Sequence, residues 1–182
     1  TQHPGGGKKG PPRRVCGVSG LYRPAVSGEG VRLLYAPHTV TIYNVVREID
    51  PATLDEEETV YITVLHGVML QASKGANVRT SGLEGADAAD LFIPFDVEAV
   101  DGKTGATKQY VGPQAFNAAA DKSGLWTLSY KGEGGETLFV KGEFVSDNLD
   151  IVQWHDDCYT VTKVDAKDFG SPDMQHFEVG GA

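Results

Sequence analysis

Basic residues are scarce through most of this chain. Residues 1–30 hold five of its 16 lysines and arginines and one of its 25 acids. Residues 31–182 therefore carry 11 bases against 24 acids, a net charge of −13. A body so acidic offers duplex DNA no basic face for its phosphates. It does not exclude a protein past which DNA slides without sticking. Cysteine is limited to Cys16, in a tail, and Cys158, in an expected strand. A Cys16–Cys158 bridge is the minor reading and reduced thiols the major one. Apolar runs fall short of the roughly 20 residues that a membrane-spanning helix needs. The N-terminal stretch lacks the apolar core of a secretory signal. The expectation is a soluble intracellular protein with no membrane partner.

Catalytic signatures are missing too. There is no P-loop, no GxGxxG after a strand, no HExxH and no GxSxG. The five histidines are scattered. His155-Asp156-Asp157-Cys158 has metal-like composition. On a strand, however, His155 and Asp157 would point one way and Asp156 and Cys158 the other. Zinc would need a ligand from elsewhere, such as His176. A Cys158–His176 nucleophile pair lacks a third group to orient it. Carboxylate pairs of the glycosidase kind arise by chance among so many acids. Glu56, Glu57 and Glu58 are consecutive and do not converge on an ion. Trp126, Trp154 and Phe177 read better as core aromatics than as a sugar platform. The reading is no enzyme, no metal and no cofactor.

What the chain does have is glycine, 23 residues of it, among well-spread β-branched and aromatic residues. That composition favours short strands and many turns. Residues 1–30 (HPGGGKKGPPRR and onward) have no period and little to bury, and read as a disordered basic tail. Two other readings stand beside this one. The tail grips DNA or an acidic partner, or it is not native coding sequence and Val31 is the start.

Order is expected from about Leu33, so residues 31–182 read as a single domain. Thr39 to Val45 alternates as a half-buried strand, with Val40, Ile42 and Asn44 on one face. Thr59 to Gln71 is a second, longer strand, with Gly67 where a bulge would fall. Ala72 to Ala89 is a glycine-bearing loop longer than ordinary connections. Asp90 to Val100 is a strand in which Pro94 marks an edge or a bulge. Gln109 to Pro113 is a short strand, and Gln114 to Ala120 the one plausible helix. Trp126–Tyr130 and Thr137–Val145 read as a hairpin turned by Glu133–Glu136, with a kink at Gly142. The last stretch, Ile151 to Val179, reads as two strands joined by a turn around Gly170-Ser-Pro-Asp173. The fold class expected is all-β. It is a small antiparallel barrel or sandwich of about eight short strands, with one short helix and a long loop between the second and third strands.

Several runs, taken in order, resemble the phage minor capsid, head-closure or head–tail connector (stopper) proteins of prophages in Gram-positive bacteria. They are His38-Thr-Val-Thr-Ile-Tyr43, Gly67-Val-Met-Leu-Gln71, Gly82-Leu-Glu-Gly85 and Leu91-Phe-Ile-Pro-Phe95. Tyr110-Val-Gly-Pro113, the Trp126 strand, Phe139-Val-Lys-Gly-Glu143, Val161-Thr-Lys-Val-Asp165 and Gly170-Ser-Pro-Asp-Met-Gln-His-Phe177 complete the set. The resemblance covers Val31 to Gly180. It implies a virion structural protein that joins a ring beneath the portal and adaptor, retains packaged DNA and docks the tail. It also implies host cytoplasm during assembly, and the head–tail junction afterwards. The partners implied are portal or adaptor and tail proteins, further copies of the chain, and packaged DNA without sequence preference. Further, it implies that the loop after the second strand gates the channel, which singles out Lys74, Gly75, Arg79, Gly82, Glu84, Gly85 and Asp87. Lys74 and Arg79 there offset Glu84, Asp87 and Asp90. The alternative is another tail-completion or baseplate component, or a glycan-binding β-domain.

Overall fold

A computed structural model describes residues 36–49, 55–79, 82–85, 87–130 and 135–182; the side chains of 76–79 and 82–85 lie outside that description. The tail, the Glu133–Gly134 part of the expected turn and residues 50–54 therefore fall outside it as well.

Two long strands frame the fold. β1 (His38–Ile49) and β2 (Glu56–Ser73) pair antiparallel from end to end of β1. With 18 residues at about 3.3 Å each, β2 spans on the order of 60 Å. It serves two neighbours in succession, β1 as far as Val68 and then β5 (Ala88–Pro94) from Met69 to Ser73. The handover occurs at Gly67. The β1 register jumps there from Thr39↔His66 to His38↔Val68, and Gly67 takes φ +79°. That is the expected bulge, at a backbone angle that strains any residue with a Cβ. Just past it, the Leu70 N–H donates to His38 Nδ1 at 3.1 Å. His38 thus has a structural role.

The remaining ring strands are β9 (Glu136–Lys141), β10 (Cys158–Lys167) and β11 (His176–Gly181). The spatial order is β1-β9-β10-β11-β5-β2, and β2 pairs back to β1. Six antiparallel strands thus close into a barrel. A further strand, β6 (Glu98–Asp101), lies beside β2 at Thr63–His66, off the ring. The C-terminal pair expected from the sequence is present as β10–β11, and a single 3-10 turn, Pro172–Met174, lies in its loop.

The barrel interior is filled. Val40 and Ile42 meet Leu65, Leu91, Phe139, Val161 and Val179 in one buried cluster. The Phe139 and Tyr159 rings stack at 5.4 Å, and Gly181 lies against both. A Cβ on Gly181 would sit 2.5 Å from Phe139 and 2.9 Å from Tyr159. One end is closed by residues 126–129, whose Trp126 and Leu128 join the same cluster. Asn44 holds this segment like a neighbouring strand. Its Nδ2 donates to Thr127 O at 2.8 Å, and its Oδ1 accepts the Thr127 N–H at 3.2 Å.

Four expectations need correction. First, β1 is not half-buried, because every residue from Val40 to Val45 is buried. Its outer face lies under a second cluster, in which Tyr43, Val45 and Leu138 pack on Leu149 and Val152. Second, those last two belong to an unexpected helix, α2 (Leu149–Gln153), so His155 and Asp157 are turn residues rather than members of a strand. The carboxamide of Asn148 caps α2 by accepting the Asp150 and Ile151 N–H groups. The expected helix is present as α1 (Pro113–Ala118). Third, Trp126–Tyr130 is not the hairpin partner of β9. At its start, β8 (Leu125–Trp126) pairs parallel with β7 (Gln109–Tyr110), while β9 lies between β1 and β10. Fourth, Pro94 ends a strand flanked on both sides, so β5 is not an edge. Gly142, at φ +89°, does end β9 as the expected kink.

Candidate functional site: the arm and its root

The stretch expected to be a loop is largely strand. β2 and β5 pair as far as Ser73↔Ala88. Beyond that point β3 (Ala76–Arg79) pairs with β4 (Gly82–Gly85), from Ala76↔Gly85 to Arg79↔Gly82. The result is a two-stranded arm that continues the β2–β5 hairpin past the end of the barrel. Its periodicity was hidden because three glycines and small residues replace the alternating apolar residues by which strands are read.

The structure divides the seven candidate residues. Lys74, Gly75 and Asp87 meet at the root, where the Gly75 N–H donates to Asp87 Oδ1 at 3.0 Å. Arg79, Gly82, Glu84 and Gly85 belong to the backbone of β3 and β4, and their side chains lie outside the described residues. Among the described residues, Lys74 forms an ion pair with an acid outside the arm. Its ammonium sits 2.9 Å from Asp157, in the turn between α2 and β10. The charge-assisted hydrogen bond to Asp157 raises the Lys74 pKa, and the same bond lowers that of Asp157. Both groups are solvent-exposed enough for salt to screen them. Sequence reasoning missed Asp157 as an arm residue, because nothing local ties it to a position 83 residues earlier.

Beside this root, the buried Tyr159 hydroxyl has no hydrogen-bond partner among the described residues. Burial, with Asp157 next, raises its pKa. The other chemical candidates separate. Cys158 packs under the second cluster, and burial pushes its thiol up to about 11. His176 lies by Phe92, its Nδ1 2.7 Å from Met174 O. Among the described residues no three metal-ligating side chains converge. Trp126 and Phe177 are buried as core aromatics, but Trp154 is 87% exposed. The three form no platform. No described helix is long and apolar enough to cross a membrane.

Fold and site define an all-β protein, among whose described residues a closed barrel carries a two-stranded arm, β3–β4, continuing its β2–β5 hairpin. The chain belongs to the family of unknown function DUF6751, whose model matches residues 35–182. No curated protein and no solved structure matches it.

Proposed function

We propose that this protein is a phage head-closure subunit, one copy of a ring that retains packaged DNA below the portal and receives the tail. The observation that carries the reading is the arm. A closed barrel whose interior is packed solid leaves no passage through a subunit, so any channel lies between subunits of a ring. A narrow two-stranded arm is the part that reaches into such a channel. An acidic body supports the same reading, since DNA must be held by obstruction and released on demand rather than bound tightly by its phosphates. The Lys74–Asp157 pair anchors the arm at one exposed point, where a modest change in surroundings frees it.

The test uses an inducible lysogen from which this gene is deleted. Its lysate is imaged by negative-stain electron microscopy. Free tails beside tailless heads that have lost their DNA are expected. Complete virions that fail only to adsorb overturn the proposal and move the protein to the tail tip, with glycan binding as its role.

A further inference from the structure

We propose that the basic segment Arg13–Arg23 of this same chain docks on the outer face of its own α2 and the turn that follows it. Ile151 and Trp154 lie three positions apart and share one side of the helical turn. They are 53% and 87% exposed, while Leu149 and Val152 are buried against the barrel. The stretch from Glu143 to Asp157 contains five acids and no lysine or arginine. Two are answered by bases from elsewhere, Asp147 by Lys103 and Asp157 by Lys74. Asp150 and Asp156, which flank Trp154 in the chain, are exposed and make no ion pair with another described residue. An indole between two unanswered carboxylates suits arginine. The guanidinium stacks on the ring face while the acids hold its edge.

The occupant is selected by where the described chain begins. Val40, near the start of β1, pairs with Lys141 on one side of β9, and on the other side the Lys141 N–H donates to Asp157 O. The start of β1 and the turn after α2 are thus two strand spacings apart, about 10 Å. Arg13–Arg23 has three arginines and no acid, with Val15, Val18, Leu21 and Tyr22 to cover Ile151. Residues 24–35, which tether it to β1, can span about 40 Å, so the face is within reach. Tethering of this kind supplies an effective concentration of about millimolar order, which favours the segment over a separate partner of like chemistry. Other exposed apolar residues suit it less. Ile49 ends β1 about 35 Å from His38, where Arg47 already answers Glu56, Glu58 and Glu136. Tyr130 follows Ser129, whose N–H bonds Thr137, also toward that end of β1. Phe95, Phe169 and Met174 belong to the end where Pro94 pairs with His176, and β5 separates it from the arm root. Lys167 stands opposite His176 there, so a base is already present. This inference holds whether or not the connector reading does.

The test places a nitroxide on Cys16 of the full, isotope-labelled chain and reads paramagnetic broadening by NMR. Cys16 lies inside the segment, and burial keeps Cys158 from reacting. Broadening of the Trp154 indole N–H and of the Ile151 and Asp156 amides is expected, while Ile49 and Phe95 keep their intensity. Arg13→Ser, Arg14→Ser and Arg23→Ser together should reduce the broadening at Trp154 about twofold or more, as should Asp150→Asn with Asp156→Asn. Glu48→Gln with Glu57→Gln, at the far end of β1, should leave it unchanged. Weak broadening spread evenly over the barrel, broadening centred on Ile49, or broadening at Trp154 indifferent to both sets of charge changes overturns the proposal. So does broadening of Trp154 in an isotope-labelled chain without nitroxide when it is mixed with unlabelled chain that bears one, which assigns the face to the segment of a second copy.

Discussion

Asn44 and Thr127 are joined by a reciprocal pair of hydrogen bonds, side chain to backbone, at 2.8 and 3.2 Å. The carboxamide presents one donor and one acceptor in the spacing of a peptide unit, so the plug segment meets β1 as it would meet a strand. Asn44 Nδ2 also contacts Thr137 Oγ1 at 3.1 Å, and that hydroxyl accepts the Ser129 N–H at 3.0 Å. Asn44→Leu leaves the Thr127 N–H and C=O buried without their partner. Stability should fall by about 2–3 kcal/mol in urea unfolding. A loss below about 0.5 kcal/mol would show that the plug is held by Trp126 packing alone.

Neighbouring glycines at the end of β11 differ in what they tolerate. Gly180→Ala places a methyl 3.4 Å from Lys163 Cβ, near ordinary contact distance, whereas Gly181→Ala drives one into the Phe139 ring. The second change should cost about 1–3 kcal/mol by overpacking and the first far less. Paired thermal melts decide it, and equal costs would mean that Phe139 has room to turn.

Lys108 is buried, and its ammonium donates to Ile62 O and to Asp101 Oδ2, each at 2.9 Å. Burial acts to raise the Asp101 pKa, but the bonds from Lys108 and Thr104 outweigh it and bring it down to about 2. A carboxyl with a lower pKa in the folded state than the ordinary 3.8 stabilises the fold above about pH 4. That stabilisation is lost as pH falls from 3.8 towards 2. Asp101→Asn should flatten this part of the pH–stability curve and lower stability at neutral pH. An unaltered acid limb in the variant would place the acid sensitivity elsewhere.

The arm should respond to salt. Screening of the Lys74–Asp157 pair frees the root, so amide exchange at Gly75 should rise with ionic strength. Lys74→Met should reproduce the high-salt rate at low salt and make it insensitive to further salt. If exchange in the parent chain ignores salt, the Asp87 contact to the Gly75 amide holds the root by itself.

Cys158 should be slow to alkylate. Burial raises its pKa to about 11, so at neutral pH the thiolate that reacts is scarce. In a Cys16→Ser background, iodoacetamide labelling should follow the unfolding of the outer cluster and accelerate in urea. Prompt labelling of the folded protein would mean that α2 lifts off β9 and β10.

Local pattern carried much of this fold. Alternation located β1 and β5, a long β-prone run located β2, Gly67 marked the bulge, Gly142 the kink, and the glycine-proline turn joined β10 to β11. Such signals are legible because they depend on residues within a few positions of one another. Other features belong to tertiary structure alone. Thr41, on the face expected to meet solvent, donates to Gly142 O across 101 positions, and α2 then covers that face. Which tryptophan is core and which is surface followed from the same packing. So did the pairing of Lys74 with Asp157, 83 positions away. A strand's period reports that one face is buried, but whether anything covers the other depends on distant segments, and only the closed barrel brings those together.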